Sequence, residues 1–148
     1  MVADSIRVEH EDFDTAAEIA ALGKAANAGA VASFVGYVRG EDGVKSLTLE
    51  HYPGMTEREI AKHVADARKR WPLLAVRIVH RIGKLKVGEQ IVFVGAAAEH
   101  RQAAFDAVQY LMDYLKSRAP FWKQEEREGE NRWVEAKASD KNLLNRWR

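Results

Sequence analysis

Between His100 and Ser117 the residues Phe105, Val108, Leu111, Met112 and Leu115 recur at i, i+3, i+4 and i+7 spacing. That is the stripe of a long helix laid against a core. Just before it, Gln90 to Ala97 is almost continuously apolar and too short for a second such helix, which predicts a central strand. The other segments must build a sheet around this pair. Ile6 to Val8 reads as a short first strand. Thr15-x-x-Glu18 has the form of a capping box, opening a helix with Ile19 and Leu22 inward that ends near Asn27-Ala28-Gly29. Ala30 to Val38 is small, β-branched and aromatic, a strand pattern. Arg39 to Gly43 is a polar loop, and Ser46 to Tyr52 alternates with Leu47, Leu49 and His51 on one face. Thr56-x-x-Glu59 predicts a second capped helix carrying Ile60, Val64, Ala67 and Trp71, stopped by Pro72. Val76, Ile78, His80 and Ile82 alternate as a strand, Gly83 to Gly88 is a bounded excursion, and Trp133 to Ala136 is a last strand before a charged tail. The order β-α-β-β-α-β-β-α-β, with strands in consecutive pairs, predicts an α+β fold with a mixed, largely antiparallel sheet and packed helices. At 148 residues the chain reads as one domain, residues 1–148, with a tail after about 140 less tied to the core.

Charge and cysteine usage narrow the chemistry. A formal net charge of +1 supplies no basic field for nucleic acid and no argument for membrane binding. No stretch approaches the roughly 18 apolar residues of a membrane span. The opening Met-Val-Ala-Asp-Ser-Ile-Arg lacks an apolar signal core, so a cytoplasmic location is expected. Cysteine is absent, which removes disulfides, thiolate metal sites and any thiol or persulfide nucleophile of the chain's own. The five histidines form no His-x-x-x-His pair, so neither a metal site nor a cofactor is expected.

Lys116-Ser-Arg-Ala-Pro-Phe-Trp-Lys-Gln-Glu125 places two lysines and an arginine around a Pro-aromatic-aromatic turn at the end of the long helix. One reading is a helix end, with Lys116 and Arg118 answering the dipole and Pro120 stopping the helix. The other is a site in which apolar rings desolvate an ammonium for proton transfer or anion binding. Gly36, just before Arg39, marks either a bulge or close approach of a ligand. His100-Arg101 opens the long helix, where cations oppose the dipole but free N–H groups favour anions. An anion pocket and a solvated first turn are both open there. His80 and His51 read as core histidines and His63 as a surface one. At about 1.5 Å per residue, His100 and Lys116 stand about 24 Å apart along one helix. One small ligand reaches both only if two subunits share the site.

Several segments together resemble the large, catalytic subunit of molybdopterin synthase. They are Gly29-Ala-Val-Ala-Ser-Phe-Val-Gly-Tyr-Val-Arg39, Leu49-Glu-His-Tyr-Pro-Gly-Met55, His80-Arg-Ile-Gly83, Val87-Gly-Glu89, His100-Arg101, Ala104-Phe105, Met112-Asp-Tyr-Leu-Lys116, Pro120-Phe-Trp-Lys123 and Trp133-Val134. They run in order over roughly residues 5–140. The resemblance implies an α/β hammerhead fold and a homodimer within a heterotetramer. Each large subunit there binds a small ubiquitin-like sulfur carrier whose C-terminal Gly-Gly thiocarboxylate threads into a pocket. It implies sulfur transfer, two sulfurs per product, to cyclic pyranopterin monophosphate, forming the molybdopterin dithiolene of the molybdenum cofactor. It assigns Lys116 and Lys123 to catalysis. Arg39, His100, Arg101, Tyr37, Val38, Gln124 and Glu125 fall to substrate binding, with backbone contacts from Tyr37 and Val38, and Phe34 and Met112 to the pocket lining. Where family members often carry a second basic residue after the second lysine, this chain has Gln124, expected to alter substrate affinity more than chemistry. The alternative is a non-catalytic module that binds a phosphorylated ligand or a carrier protein.

Overall fold

The computed structural model describes residues 4–118, 121–134 and 138–147. Its elements run β1 (Ser5–Glu9), α1 (Thr15–Gly23), β2 (Ala30–Tyr37), a 3-10 turn (Glu41–Gly43), β3 (Val44–His51), α2 (Met55–Arg70) and β4 (Leu73–Arg81). Then follow β5 (Gly83–Lys86), β6 (Gln90–Ala98), α3 (Arg101–Ser117), β7 (Phe121–Arg127), β8 (Glu130–Val134), α4 (Ala138–Leu143) and a closing 3-10 turn (Leu144–Trp147). The strands form two four-stranded sheets, β1-β4-β6-β2 and β5-β3-β7-β8. Among the described residues only the β1–β4 pair is parallel; the other pairs are antiparallel. The expected α+β class and antiparallel bias hold, with the strands divided between two sheets rather than gathered in one.

β6 lies between β4 and β2 and is covered on both faces, which is why its sequence is almost continuously apolar. Val92, Val94 and Ala96 meet the apolar faces of α2 and α3, including Ile60, Val64, Ala104 and Leu111. Phe93 and Ala97 meet Phe13 and Leu22 on the other side, under α1. A smaller core of Val38, Leu49 and Leu85, with Leu47 and Ile91 against it, joins the two sheets. Truncating fully buried Leu22 to Ala would cost about 2–5 kcal/mol.

Local detail departs from the sequence reading at several points. The first helix is capped by Asp14, whose side chain accepts from the Ala17 N–H at 3.1 Å. Thr15 instead donates to the Gln90 side chain, and Glu18 binds Arg7 and Arg77. A burial partner for the glutamate outweighs a local capping bond. In α2 the cap is Gly54, whose N–H donates to Glu57 at 2.9 Å, while Thr56 donates back to the Tyr52 carbonyl. Ile19 and Phe105 are exposed: α1 turns Glu18 and Leu22 inward, and α3 buries Ala104, Ala107, Val108 and Leu111 instead. His63 is not on the surface: it is buried, with its ring 4.4 Å from that of Tyr114. The excursion after Gly83 contains a strand, β5, paired with β3. Phe121 and Trp122 begin β7 rather than forming a turn; cross-strand pairing with β3 extends them. The expected roles of Pro120, Glu135 and Ala136 fall outside the described residues.

Candidate active site

Met112, Leu115 and Lys116 are one helical turn apart on α3 and share a face. Lys123 sits on β7 directly opposite Leu49 of β3. Helix and strand meet at a slot where the two sheets join. Phe34, Gly36 and Tyr37 wall it from β2, and Ile91 and Val92 from β6. Leu47 and Leu49 add β3, and His80 adds β4. Its cavity volume is about 60 Å³, room for a few water-sized groups and so for a slender chain end.

His80 is the buried polar group of this wall. Its Nδ1 lies 2.9 Å from the Arg81 carbonyl oxygen. A carbonyl only accepts, so Nδ1 carries the proton and Nε2 is left as an acceptor in the neutral ring. The ring stacks on Phe121, centroids 3.8 Å apart and planes 19° from parallel. Burial pushes the imidazole down to about 3, and the charges of Lys123, Lys116 and His51 push the same way against the Arg81 carbonyl. The two lysines are therefore close enough to be felt at the ring, which stays neutral at physiological pH.

Strand alternation sorts the rest of β7. Phe121, Lys123 and Glu125 share one face, opposite His51, Leu49 and Leu47; Trp122 and Gln124 share the other. Trp122 thus packs edge-on against Tyr52 at 4.2 Å rather than beside Lys123. Gln124 pairs with Thr48 and Trp133 on the face away from the slot lysine. Glu125 accepts from Arg127 at 2.7 Å.

Within one chain the slot gathers Phe34, Tyr37, Met112, Lys116 and Lys123. Arg39 lies outside its lining, exposed and ion-paired with Glu41 at 2.6 Å. His100 and Arg101 are exposed at the far end of α3. The Val38 side chain is buried in the small core, its N–H donates to the Glu89 carbonyl and its own carbonyl accepts from the Gly88 N–H, each at 2.9 Å. The sequence reading missed His80, Leu47, Leu49, Ile91, Val92 and Leu115 as lining. His80 alternates with apolar residues like any core histidine, and its neighbours in the slot come from other elements. Gly36 alone carried a local signal.

The slot thus carries two lysines, in a chain with no thiol of its own. The comparisons give the family. The model of the MoaE protein family matches residues 8–118. The molybdopterin synthase catalytic subunit of Mesorhizobium japonicum is 54% identical, covering 100% of this chain and 96% of that protein. That of Escherichia coli K12 is 49% identical over 99% of this chain and 100% of that protein. Among solved structures, the molybdopterin biosynthesis MoaE protein of Burkholderia ambifaria superposes with a TM-score of 0.85 at 48% identity, covering 97% of both chains. Molybdopterin synthase from Staphylococcus aureus gives 0.79 at 30% identity, over 86% of this chain and 94% of that one. The chain belongs to the MoaE family, that of the molybdopterin synthase catalytic subunit.

Proposed function

We propose that this chain transfers sulfur to cyclic pyranopterin monophosphate as the catalytic subunit of molybdopterin synthase, with Lys116 and Lys123 as its working residues. The observation that carries the residue assignment is the meeting of these two lysines, from α3 and β7, at one narrow apolar-walled slot. A cysteine-free chain must receive its sulfur, and a slender slot suits the Gly-Gly thiocarboxylate tail of a small ubiquitin-like carrier. The carrier sulfur attacks a substrate carbon, forming a C–S bond. Lys116 holds the thiocarboxylate and then the oxyanion that develops. Water cleaves the acyl–sulfur bond, the carrier leaves as a carboxylate, and the sulfur stays on the pterin. Lys123 passes a proton to the departing substrate oxygen, which leaves as water. A second loaded carrier repeats the step and completes the dithiolene.

Arg39, His100 and Arg101 serve the substrate phosphate. Along α3, capped by His100, about 24 Å separates His100 from Lys116 at about 1.5 Å per residue, which supports a site completed by a second copy of the chain. Two large and two carrier subunits then make the heterotetramer. A cytoplasmic location accords with the lack, among the described residues, of a helix long and apolar enough to cross a membrane.

The test is reconstitution with a thiocarboxylated carrier and the cyclic pterin, read as dithiolene product. Wild type should turn over. Lys116→Ala should keep its fold and carrier binding while losing about 10²–10³ in rate, the scale of a lost oxyanion contact. Wild-type rates in Lys116→Ala would leave the lysine a docking role only.

A further inference from the structure

His80 has no part in the chemistry just described, yet it is the buried polar side chain of the slot wall. Two features fix it there. Nδ1–H is tied to the carbonyl of the next residue, which sets the tautomer and turns the proton-free Nε2 edge away from that carbonyl. Phe121 stacks flat on the ring and limits its rotation. Phe121 also precedes Lys123 by one same-face step of β7, about 6.6 Å along the strand, within reach of a lysine arm. Phe121 and the Lys123 stem therefore leave the same strand face side by side, and His80, stacked on Phe121, lines the slot together with Lys123.

We infer that His80 is a positioning residue for Lys123, its Nε2 accepting a hydrogen bond from the Lys123 ammonium and fixing that group at the reacting end of the slot. A lysine on four flexible bonds samples many rotamers, and a rigid neutral acceptor selects one of them before substrate arrives. A carboxylate in the same place would compete with the incoming thiocarboxylate for the ammonium. A neutral imidazole orients the lysine without repelling the incoming anion.

This deepens the proposed function and rests on Lys123 working in the slot, so the experiment has one arm that needs no turnover. In the ¹⁵N spectrum of the imidazole rings, Lys123→Met should move the His80 Nε2 resonance and leave Nδ1 nearly in place. An Nε2 resonance indifferent to Lys123→Met overturns the hydrogen bond, whatever the activity. In the second arm, His80→Asn and His80→Gln both lose the ring stack, but only Gln carries an oxygen near the Nε2 position. His80→Asn should lower kcat about tenfold or more, as for a lost hydrogen bond to a charged group, with KM for the pterin within about threefold. His80→Gln should recover most of that loss. Equal rates for the Asn and Gln variants would reduce His80 to packing. If thermal melts show the Asn variant unfolded, His80→Leu against His80→Gln gives the same comparison. Absence of turnover in wild type would remove the functional reading while leaving the spectroscopic result to stand or fall alone.

Discussion

Leu49 on β3 and Lys123 on β7 are direct register partners, so an apolar side chain buried in the small core and a lysine leave the same face of one sheet. The pairing matters because a strand has a period of two. A slip by one residue would send Lys123 to the outer face and bring Gln124 into the slot.

That register makes Gln124 a useful control. Its side chain is on the face shared with Trp122, away from the slot lysine. Gln124→Lys is expected to leave both kcat and KM for the pterin within about twofold, since the new charge would project from the half-buried position on the face opposite the slot lysine. Steady-state kinetics at low and high salt check this. A large fall in KM would show that the outer face reaches the substrate.

Gly36 sets the width of the slot. A Cβ there would lie 2.9 Å from Val92 Cγ1 and 3.3 Å from the Phe34 ring, and both neighbours line the cavity. Gly36→Ala should cost about 1–3 kcal/mol of stability through overpacking. It should also raise KM for the carrier about tenfold at nearly constant kcat, because the tail is crowded before the chemistry begins. Denaturant melts and carrier titrations separate the two effects. An unchanged carrier KM would show that the tail enters elsewhere.

Acid should destabilise the fold earlier than its carboxylates alone would allow. Burial lowers His80 to about 3 and also lowers His63, from an ordinary value near 6.5. Below about pH 6.5 the unfolded chain binds protons that the folded chain refuses, so stability falls as pH falls. For His80 the loss continues towards pH 3. At Glu18 desolvation works upward, but hydrogen bonds from Arg7 and Arg77 outweigh it and hold the carboxyl below its usual range. Its contribution is lost only below about pH 4.5. Thermal melts should therefore drop between about pH 7 and about pH 5, and His80→Gln should flatten that drop. An identical pH slope in the variant would contradict the assignment.

Asp113 clamps the C-terminal segment to α3. It is buried, and it accepts from Arg146 through Nε and Nη2, each at 2.9 Å, and from the Trp147 indole at 2.6 Å. Trp147 in turn packs on Trp71 and Tyr110. Asp113→Ala should cost about 1–3 kcal/mol, below the full value for a buried pair because Arg146 is partly exposed. Limited proteolysis should then release the C-terminal segment sooner than in wild type. Equal proteolysis rates would show that aromatic packing alone holds it.

Elements with strong periodicity were readable without the fold. The α3 stripe and the β6 run emerged with the right type, because burial on one face or two leaves a direct mark on composition. The residues that failed did so where a distant partner overrode a local rule. Glu18 gave up a capping role for two arginines from β1 and β4. Phe121 and Trp122, which follow a proline and suggest a turn, became strand because β3 offers them a ladder. His63, on a charged helix, was drawn inward by Tyr114 of α3.

The site divides the same way. Residue types alone determined that the chain has no sulfur nucleophile, that cations sit at both ends of one long helix, and that Lys116 and Lys123 flank its exit. Only the tertiary structure decided which of these share a cavity. It brought Lys116 and Lys123 to one slot with His80, left Arg39, His100 and Arg101 outside that lining, and turned Gln124 away. The reason is physical: composition and spacing record what each residue can do, whereas strand register and helix packing set which faces meet, and those depend on partners far apart in the chain.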